Sequence, residues 1–359
     1  MNKMKKVSNA MLTAGCAAAM ASVFAVEGGL AAQNAPRQQP EWAYAIPPNG
    51  DATATVIPDD GTVYSLPGSE GRFTYTQVRG TPAPADWFPG DHPLMPKIVA
   101  EGDPKRGIMA CSLCHYPNGK GRTENAPVSG LPKDYIVEQL HDMKTGVRHS
   151  AEPLKANAAL MVAMAKAMTE DEINASAAYF SAIPWTPWIR VVESATAPKV
   201  DNEAGLLLPS EGAKAGSEPI AGRIVEVPVN RKNTEMLRDP HSGFTAYAPF
   251  GAVARGKILV TTGAGGKTLV CATCHGPDLN GLGTIPGLAG RSPSYIARQL
   301  NDFRQGARNG AMSALMKPVT VNLTTKDITD IAAYLASRPV PAPARQAVSK
   351  GSGNTLLRR

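Results

Sequence analysis

Two cysteines three positions apart with a histidine directly after them occur twice in this 359-residue sequence, as Cys111-Ser112-Leu113-Cys114-His115 and as Cys271-Ala272-Thr273-Cys274-His275. Cys-x-x-Cys alone would serve a redox dithiol or half of a zinc site. A histidine following both times selects a different chemistry. Each thiol closes a thioether on a haem vinyl group, and the adjacent imidazole is delivered to the iron as its proximal ligand. The pattern therefore predicts two covalently bound haem c groups, attached through Cys111, Cys114, Cys271 and Cys274, with His115 and His275 on the two irons.

The elements that must position these residues also come in pairs. Tyr135-Ile136-Val137-Glu138-Gln139-Leu140-His141-Asp142, through Gly146 and Arg148, matches Tyr295-Ile296-Ala297-Arg298-Gln299-Leu300-Asn301-Asp302, through Gly306 and Arg308. The offset is 160 residues, the same as between Cys111 and Cys271. Met168-Thr169-Glu170-Asp171-Glu172-Ile173 with Tyr179 matches Leu323-Thr324-Thr325-Lys326-Asp327-Ile328 with Tyr334 at an offset of 155, so the second copy loses five residues in the intervening loop. Each repeat reads as helix, haem motif, loop, helix, loop, helix. The closing helices start at capping signals, Thr169 with Glu172 and Thr324 with Asp327, where the hydroxyl accepts an orphan backbone N–H. Ile173, Ala177 and Phe180, and likewise Ile328, Ile331, Ala332 and Leu335, fall on one helical face. Lys97 to Ala100 and Gly256 to Val260 are read as the opening helices.

Outside the repeats the composition changes. Lys3, Lys5 and Lys6 precede an apolar run from Ala10 to Val26, the layout of a secretory signal over residues 1–32. Cleavage after Ala25 and cleavage near Ala32 both fit, and an uncleaved segment would associate the chain with a membrane. Cys16 lies in that run, where the apolar residues after it argue against a lipidation box. Residues 33–92 form a loop-rich extension whose best strand is Arg72 to Val78, read either as a docking surface or as an arm over a haem domain. Residues 184–250 make a long connection that opens with Pro184-Trp185-Thr186-Pro187-Trp188 and carries a plausible strand at Arg223 to Val227, which could pair with the strand of the extension. The tail 340–359 is basic and expected to be disordered. With 37 basic and 30 acidic residues the formal charge is +7; residues 1–32 account for +2, leaving +5. Two haems would offset about four of these charges through their propionates, so nucleic acid is not an implied partner.

Residues 93–182 and 250–338 resemble the tandem dihaem class I cytochromes c, the c-four kind. The likeness rests on both Cys-x-x-Cys-His motifs, the paired Tyr-Ile-x-x-Gln-Leu-x-Asp segments, Pro286-Gly287-Leu288-Ala289-Gly290 and the capped closing helices. The resemblance implies a mainly α fold of two tandem class I cytochrome c domains, at 93–183 and 251–339, with an irregular, short-strand N-terminal extension and a long interdomain linker. It also implies an axial methionine several residues before the final helix. Seven back from Met168 stands Met161, and seven back from Leu323 stands Met316. Met164 and Met312 are the rivals, since methionine is also an ordinary core gap-filler. His149 is an outside candidate for the first iron, while His92, His141 and His241 read as plain surface or core histidines. The resemblance further implies that the Pro286 carbonyl accepts from the ring N–H of His275. Its counterpart in the first copy is Ala126, with proline one place later at Pro127, which leaves the first histidine's orientation less well defined.

The function expected from these features is electron transfer in the periplasm, between a dehydrogenase or quinol-oxidising partner and a terminal acceptor or oxidase, with no catalytic residues in the chain. Two alternatives remain: a dihaem peroxidase, which needs one displaceable ligand, and a permanent electron-transfer subunit of a dehydrogenase complex, which the long extensions favour.

Overall fold

Lys97–Ala100, a single helical turn, leads into the first haem motif, and the same connection recurs in the second half of the chain. The computed structural model describes residues 39–47, 57–80 and 83–340, all within one compact unit that begins at Gln38. The signal-like stretch and the basic tail beyond residue 340 lie outside the described residues.

The chain enters with α1 (Glu41–Tyr44), a two-stranded antiparallel ribbon of β1 (Val63–Tyr64) and β2 (Phe73–Thr74), and α2 (Tyr75–Val78). Here the expected strand from Arg72 to Val78 is corrected. Only its first part pairs; Thr74 then caps a helical turn by accepting from the Gln77 N–H while the Gln77 side chain returns to the Thr74 N–H. A local capping box has outweighed β propensity.

The first repeat follows with α3 (Lys97–Ala100), α4 (Cys111–His115), α5 (Lys133–Thr145), α6 (Ala156–Ala167) and α7 (Glu170–Ser181). α5 stops at Gly146, whose φ of 84° is the left-handed conformation that ends helices. α7 starts at the Thr169–Glu172 capping box. The α6 helix stands where a loop was expected. Six of its twelve residues are alanine, so intrinsic propensity builds it without a clear apolar stripe. Ile98, Val99, Ile136, Leu140, Ile173 and Phe180 form the core between these helices.

Residues 184–250 are far more ordered than their composition suggests. They hold β3 (Ile189–Glu193), β4 (Thr196–Pro198), β5 (Val200–Glu203), β6 (Leu206–Pro209), β7 (Ser217–Pro219), β8 (Val225–Pro228), α8 (Arg231–Glu235) and β9 (Phe244–Ala248). β9 is central in a three-stranded mixed sheet, parallel to β3 and antiparallel to β8, while β5 with β6 forms a hairpin and β4 pairs antiparallel with β7 around it. β8 does not pair with the N-terminal extension, which corrects that expectation. The extension joins this lobe through side chains: Trp87 Nε1 donates to the Leu237 carbonyl at 2.7 Å, Arg79 donates to the Glu235 carbonyl at 2.8 Å, and Phe88 stacks on His241.

The second repeat comprises α9 (Ala252–Thr262), α10 (Ala272–His275), α11 (Pro293–Gln305), α12 (Lys317–Thr320) and α13 (Thr325–Ala336), with a 3-10 turn at Ala311–Leu315. Ser292 caps α11 by accepting from the Tyr295 N–H, and Pro293 occupies its first turn. α9 crosses α13 at Gly256, where an added Cβ would overlap the Asp330 carbonyl, so only glycine permits this approach. Ile328, Ile331, Ala332 and Leu335 are all buried in the resulting core.

The two repeats meet through the duplicated helices α5 and α11. Arg148 and Arg308 pair as an antiparallel bridge, flanked by His149 N–H to Ala307 carbonyl at 2.9 Å and Asn309 N–H to Val147 carbonyl at 2.8 Å. Each guanidinium then reaches both glutamines. Arg148 donates to Gln139 at 2.9 Å and to Gln299 at 3.1 Å; Arg308 donates to Gln139 at 2.6 Å, Gln299 at 3.1 Å and Tyr135 at 3.2 Å.

Candidate haem centres

In both repeats the haem motif forms a short helical turn, so the two cysteines, three residues apart, project from one side of it. The four motif cysteines are unpaired. Burial pushes the Cys111 thiol up to about 12 and the Cys271 thiol up to about 11, which keeps both neutral.

The histidines are oriented alike. His275 Nδ1 lies 2.7 Å from the Pro286 carbonyl, and His115 Nδ1 lies 2.8 Å from the Ala126 carbonyl. Nδ1 is therefore the protonated nitrogen in each ring, and Nε2 keeps its lone pair for a metal. Burial lowers both imidazole pKa values, holding the rings neutral. The first histidine is thus as firmly oriented as the second, which corrects the expectation drawn from the displaced proline. A carbonyl needs only to stand at the right place, and the backbone sets that place. Gly121 N–H donates to the His115 carbonyl at 2.8 Å, and Gly281 N–H donates to the His275 carbonyl at 2.9 Å, closing the same turn twice.

His115 lines a cavity of about 190 Å³ together with Cys114, Met143, Met161 and Met164. Arg148, Lys155, Arg298 and Asp302 are among its polar lining residues. Lys155 Nζ donates to the Tyr44 carbonyl at 3.0 Å and Arg298 to the Ala43 carbonyl at 2.7 Å, so α1 of the extension braces this wall. Burial lowers Lys155 to about 7. Glu124 shares the wall and pairs with Arg122. His149 also lines the cavity, with its Nδ1 turned toward the Ser150 carbonyl at 3.1 Å. One cavity thus gathers an imidazole whose Nδ1 is held by a carbonyl, the thioethers of Met143, Met161 and Met164, and basic side chains, a donor set that suits the iron and the propionates of a haem. Among the sulfur donors, Met161 and Met164 both face this space.

In the second repeat, Met316 joins the 3-10 turn to α12 and packs against the core, whereas Met312 is 46% exposed. His92 pairs with Asp86, His141 with Glu170 and His241 with Asp91. Sequence reasoning did not recognise the Arg148–Arg308 interface or the basic residues lining the first cavity. The signal for the first was present: Tyr, Gln and Arg recur at one offset, and polar residues duplicated along with a core motif point to a shared buried role.

Comparison with known proteins agrees with this construction. Residues 253–339 match the protein family described as Cytochrome c. The chain is 44% identical to cytochrome c-554(548) of Halomonas halodenitrificans over 73 residues, 20% of this chain and 88% of that protein. It is 26% identical to the thiosulfate dehydrogenase electron acceptor of Thiomonas intermedia, over 67% of this chain and 83% of the relative. Against cytochrome c4 of Pseudomonas aeruginosa the identity is 24%, over 66% of this chain and 87% of that one. With one haem motif in each of two repeats, the chain belongs to the cytochrome c family as a c4-type member with two covalently bound haem c groups.

Proposed function

We propose that this protein is a dihaem electron carrier of the periplasm that exchanges single electrons with a redox protein, and that it performs no substrate chemistry of its own. The observation that carries the reading is the duplicated arrangement of Cys-x-x-Cys-His turn, carbonyl-held Nδ1 and downstream methionine. Bound haem c supplies a one-electron couple at iron. The chain's residues then attach and orient it: Cys111, Cys114, Cys271 and Cys274 as thioether donors, His115 and His275 as proximal ligands, Met161 and Met316 as the closing ligands. A thioether on the sixth position excludes water and peroxide and favours electron transfer over ligand activation.

One relative bears the name thiosulfate dehydrogenase electron acceptor, which favours a dehydrogenase as the electron donor. Among the described residues no helix is long and apolar enough to cross a membrane. The test is stopped-flow mixing of the reduced holoprotein with carbon monoxide and, separately, of the half-reduced protein with peroxide. Closed irons bind carbon monoxide poorly and turn peroxide over no faster than free haem. Rapid, saturable peroxide turnover at one haem would move the protein into the peroxidase class and sink the carrier reading.

A further inference from the structure

The two haem-binding turns are built alike and covered unequally. Pro117 and Asn118, which follow the first motif, are buried; Pro277 and Asp278, their counterparts 160 residues later, are exposed. Tyr179 of the first repeat covers Pro117, its hydroxyl donating to the Pro117 carbonyl at 2.6 Å, and residues 184–250 cover Tyr116 and Asn118. Asn118 Nδ2 donates to the Pro240 carbonyl at 3.2 Å, and Tyr116, 1% exposed, packs among Trp188, Leu206, Leu208 and Phe244. The Arg238 guanidinium lies 5.3 Å from the centre of the Tyr116 ring. Cys114 is accordingly half-buried where Cys274 is exposed. A thioether sulfur is bonded to the periphery of the macrocycle, so cover over that sulfur lengthens the route from this haem edge to any outside centre.

Charge divides the same way. Residues 93–183 hold ten basic and ten acidic side chains, whereas residues 251–340 hold ten basic and four acidic, a net of +6. Three of those four acids, Asp302, Asp327 and Asp330, are buried, and only Asp278 is exposed. Lys257 and Lys317 are exposed, and Lys317 directly follows Met316. Two propionates would remove about two positive charges, which leaves this repeat clearly basic and the first repeat neutral to acidic.

We infer that the Cys274 edge of the second haem is the docking surface for a redox protein whose contact face is acidic, and that the lobe of residues 184–250 keeps the first haem from direct exchange with it. The inference rests on the electron-carrier reading above. With haem bound, His275 would hold the iron that gives one electron to the partner's one-electron centre, that iron being oxidised and the partner reduced by one, and His115 would hold the iron that replaces the electron, so that the first site would serve as an internal store.

Two measurements on the holoprotein test this. Hexacyanochromate(III), a redox-inert paramagnetic trianion, should broaden the amide resonances of Thr273, Cys274 and Lys317 and spare those of Tyr116 and Asn118. In stopped flow, oxidation of the fully reduced protein by ferricyanide should slow about tenfold at low ionic strength in the Lys257→Glu, Lys317→Glu double variant. The same variant should speed oxidation by the cationic tris(phenanthroline)cobalt(III), and both effects should vanish near 1 M salt, where the screening length is about 3 Å. Equal broadening at Asn118 and Cys274, or a ferricyanide rate untouched by the charge reversal, overturns the inference. Because the chromium probe transfers no electron, peroxide turnover beside the expected broadening would sink the carrier reading and leave the docking edge standing.

Discussion

Replacing Arg308 by alanine should weaken the union of the two repeats by about 3 kcal/mol, toward the low end for removing one member of a buried charged network. The guanidinium is buried and donates to Gln299, Gln139 and Tyr135. At about 1.5–3 kcal/mol for each hydrogen bond to a charged group, three losses would suggest a larger figure. Two features reduce it. Arg148 still donates to both glutamine oxygens, so only the Tyr135 hydroxyl loses its partner, and a buried guanidinium no longer has to be desolvated. The shared acceptors also fix the outcome for a second substitution. Arg148→Ala on top of Arg308→Ala strips the last donor from Gln139 and Gln299, so the double variant should lose more than the sum of the singles, by about 1–3 kcal/mol. Urea unfolding of the holoprotein is the assay. With a slope of about 3 kcal/mol/M, 3 kcal/mol moves the midpoint by about 1 M. Arg308→Lys should behave nearly as badly as alanine, because a point charge cannot serve three acceptors in a plane. A loss under about 0.5 kcal/mol, or strict additivity of the pair, would refute the claim that this network joins the repeats.

Three further outcomes are expected. Met316→Ala and Met161→Ala should each remove the methionine-to-ferric-iron absorption band of one haem and lower its potential, while Met312→Ala and Met164→Ala leave both bands in place; the reverse result would reassign the ligands. Gly256→Val should prevent the close crossing of α9 on α13 and give a thermal midpoint many degrees lower, since the side chain would meet backbone and not a yielding side chain. Glu226 is fully buried, accepting from Ser292 at 2.8 Å and from the Ser294 N–H at 3.2 Å. Burial raises its pKa above the ordinary 4.5 despite those bonds and the nearby Arg298. Its folded form therefore binds a proton more readily than its unfolded form, so this group's contribution to stability is complete below about pH 4.5 and declines as the pH rises through the folded pKa. Glu226→Gln should flatten that decline in unfolding curves taken between pH 4 and 8; an unchanged slope would count against a proton at this site.

What the sequence made legible was whatever is local or repeated. The capping boxes at Thr169 and Thr324 are four-residue signals and are found as read. The haem turns are five-residue signals whose chemistry needs no tertiary context. The rest escaped for two reasons: one local signal outweighing another, and pairings between distant residues. Tyr75 to Val78 has strand-like composition, yet the Thr74–Gln77 exchange makes a helical turn there, and the Pro- and Gly-rich stretch after Ile183 becomes seven short strands through pairings no periodicity announces. The Ala126 carbonyl illustrates a third limit. A backbone acceptor has no residue type to recognise, so a sequence can mark its position only by offset, as the 160-residue spacing to Pro286 does.

The same duplication that made the repeats readable also shows how they have become unequal. At the position after each proximal histidine the first repeat has Tyr116 and the second Gly276, with φ values of 62° and 82°. Glycine adopts that backbone without strain, whereas a tyrosine there costs energy that some other interaction must offset. The packing of the Tyr116 ring against Trp188, Leu206, Leu208 and Phe244 is that interaction, and it exists only because residues 184–250 are folded over the first turn. One side chain at one strained position thus anchors the lobe to the first repeat, while the glycine at the matching place gives the second repeat nothing for such a lobe to hold. The covered and the open haem edges follow from that difference, and with them the direction from which a partner can approach.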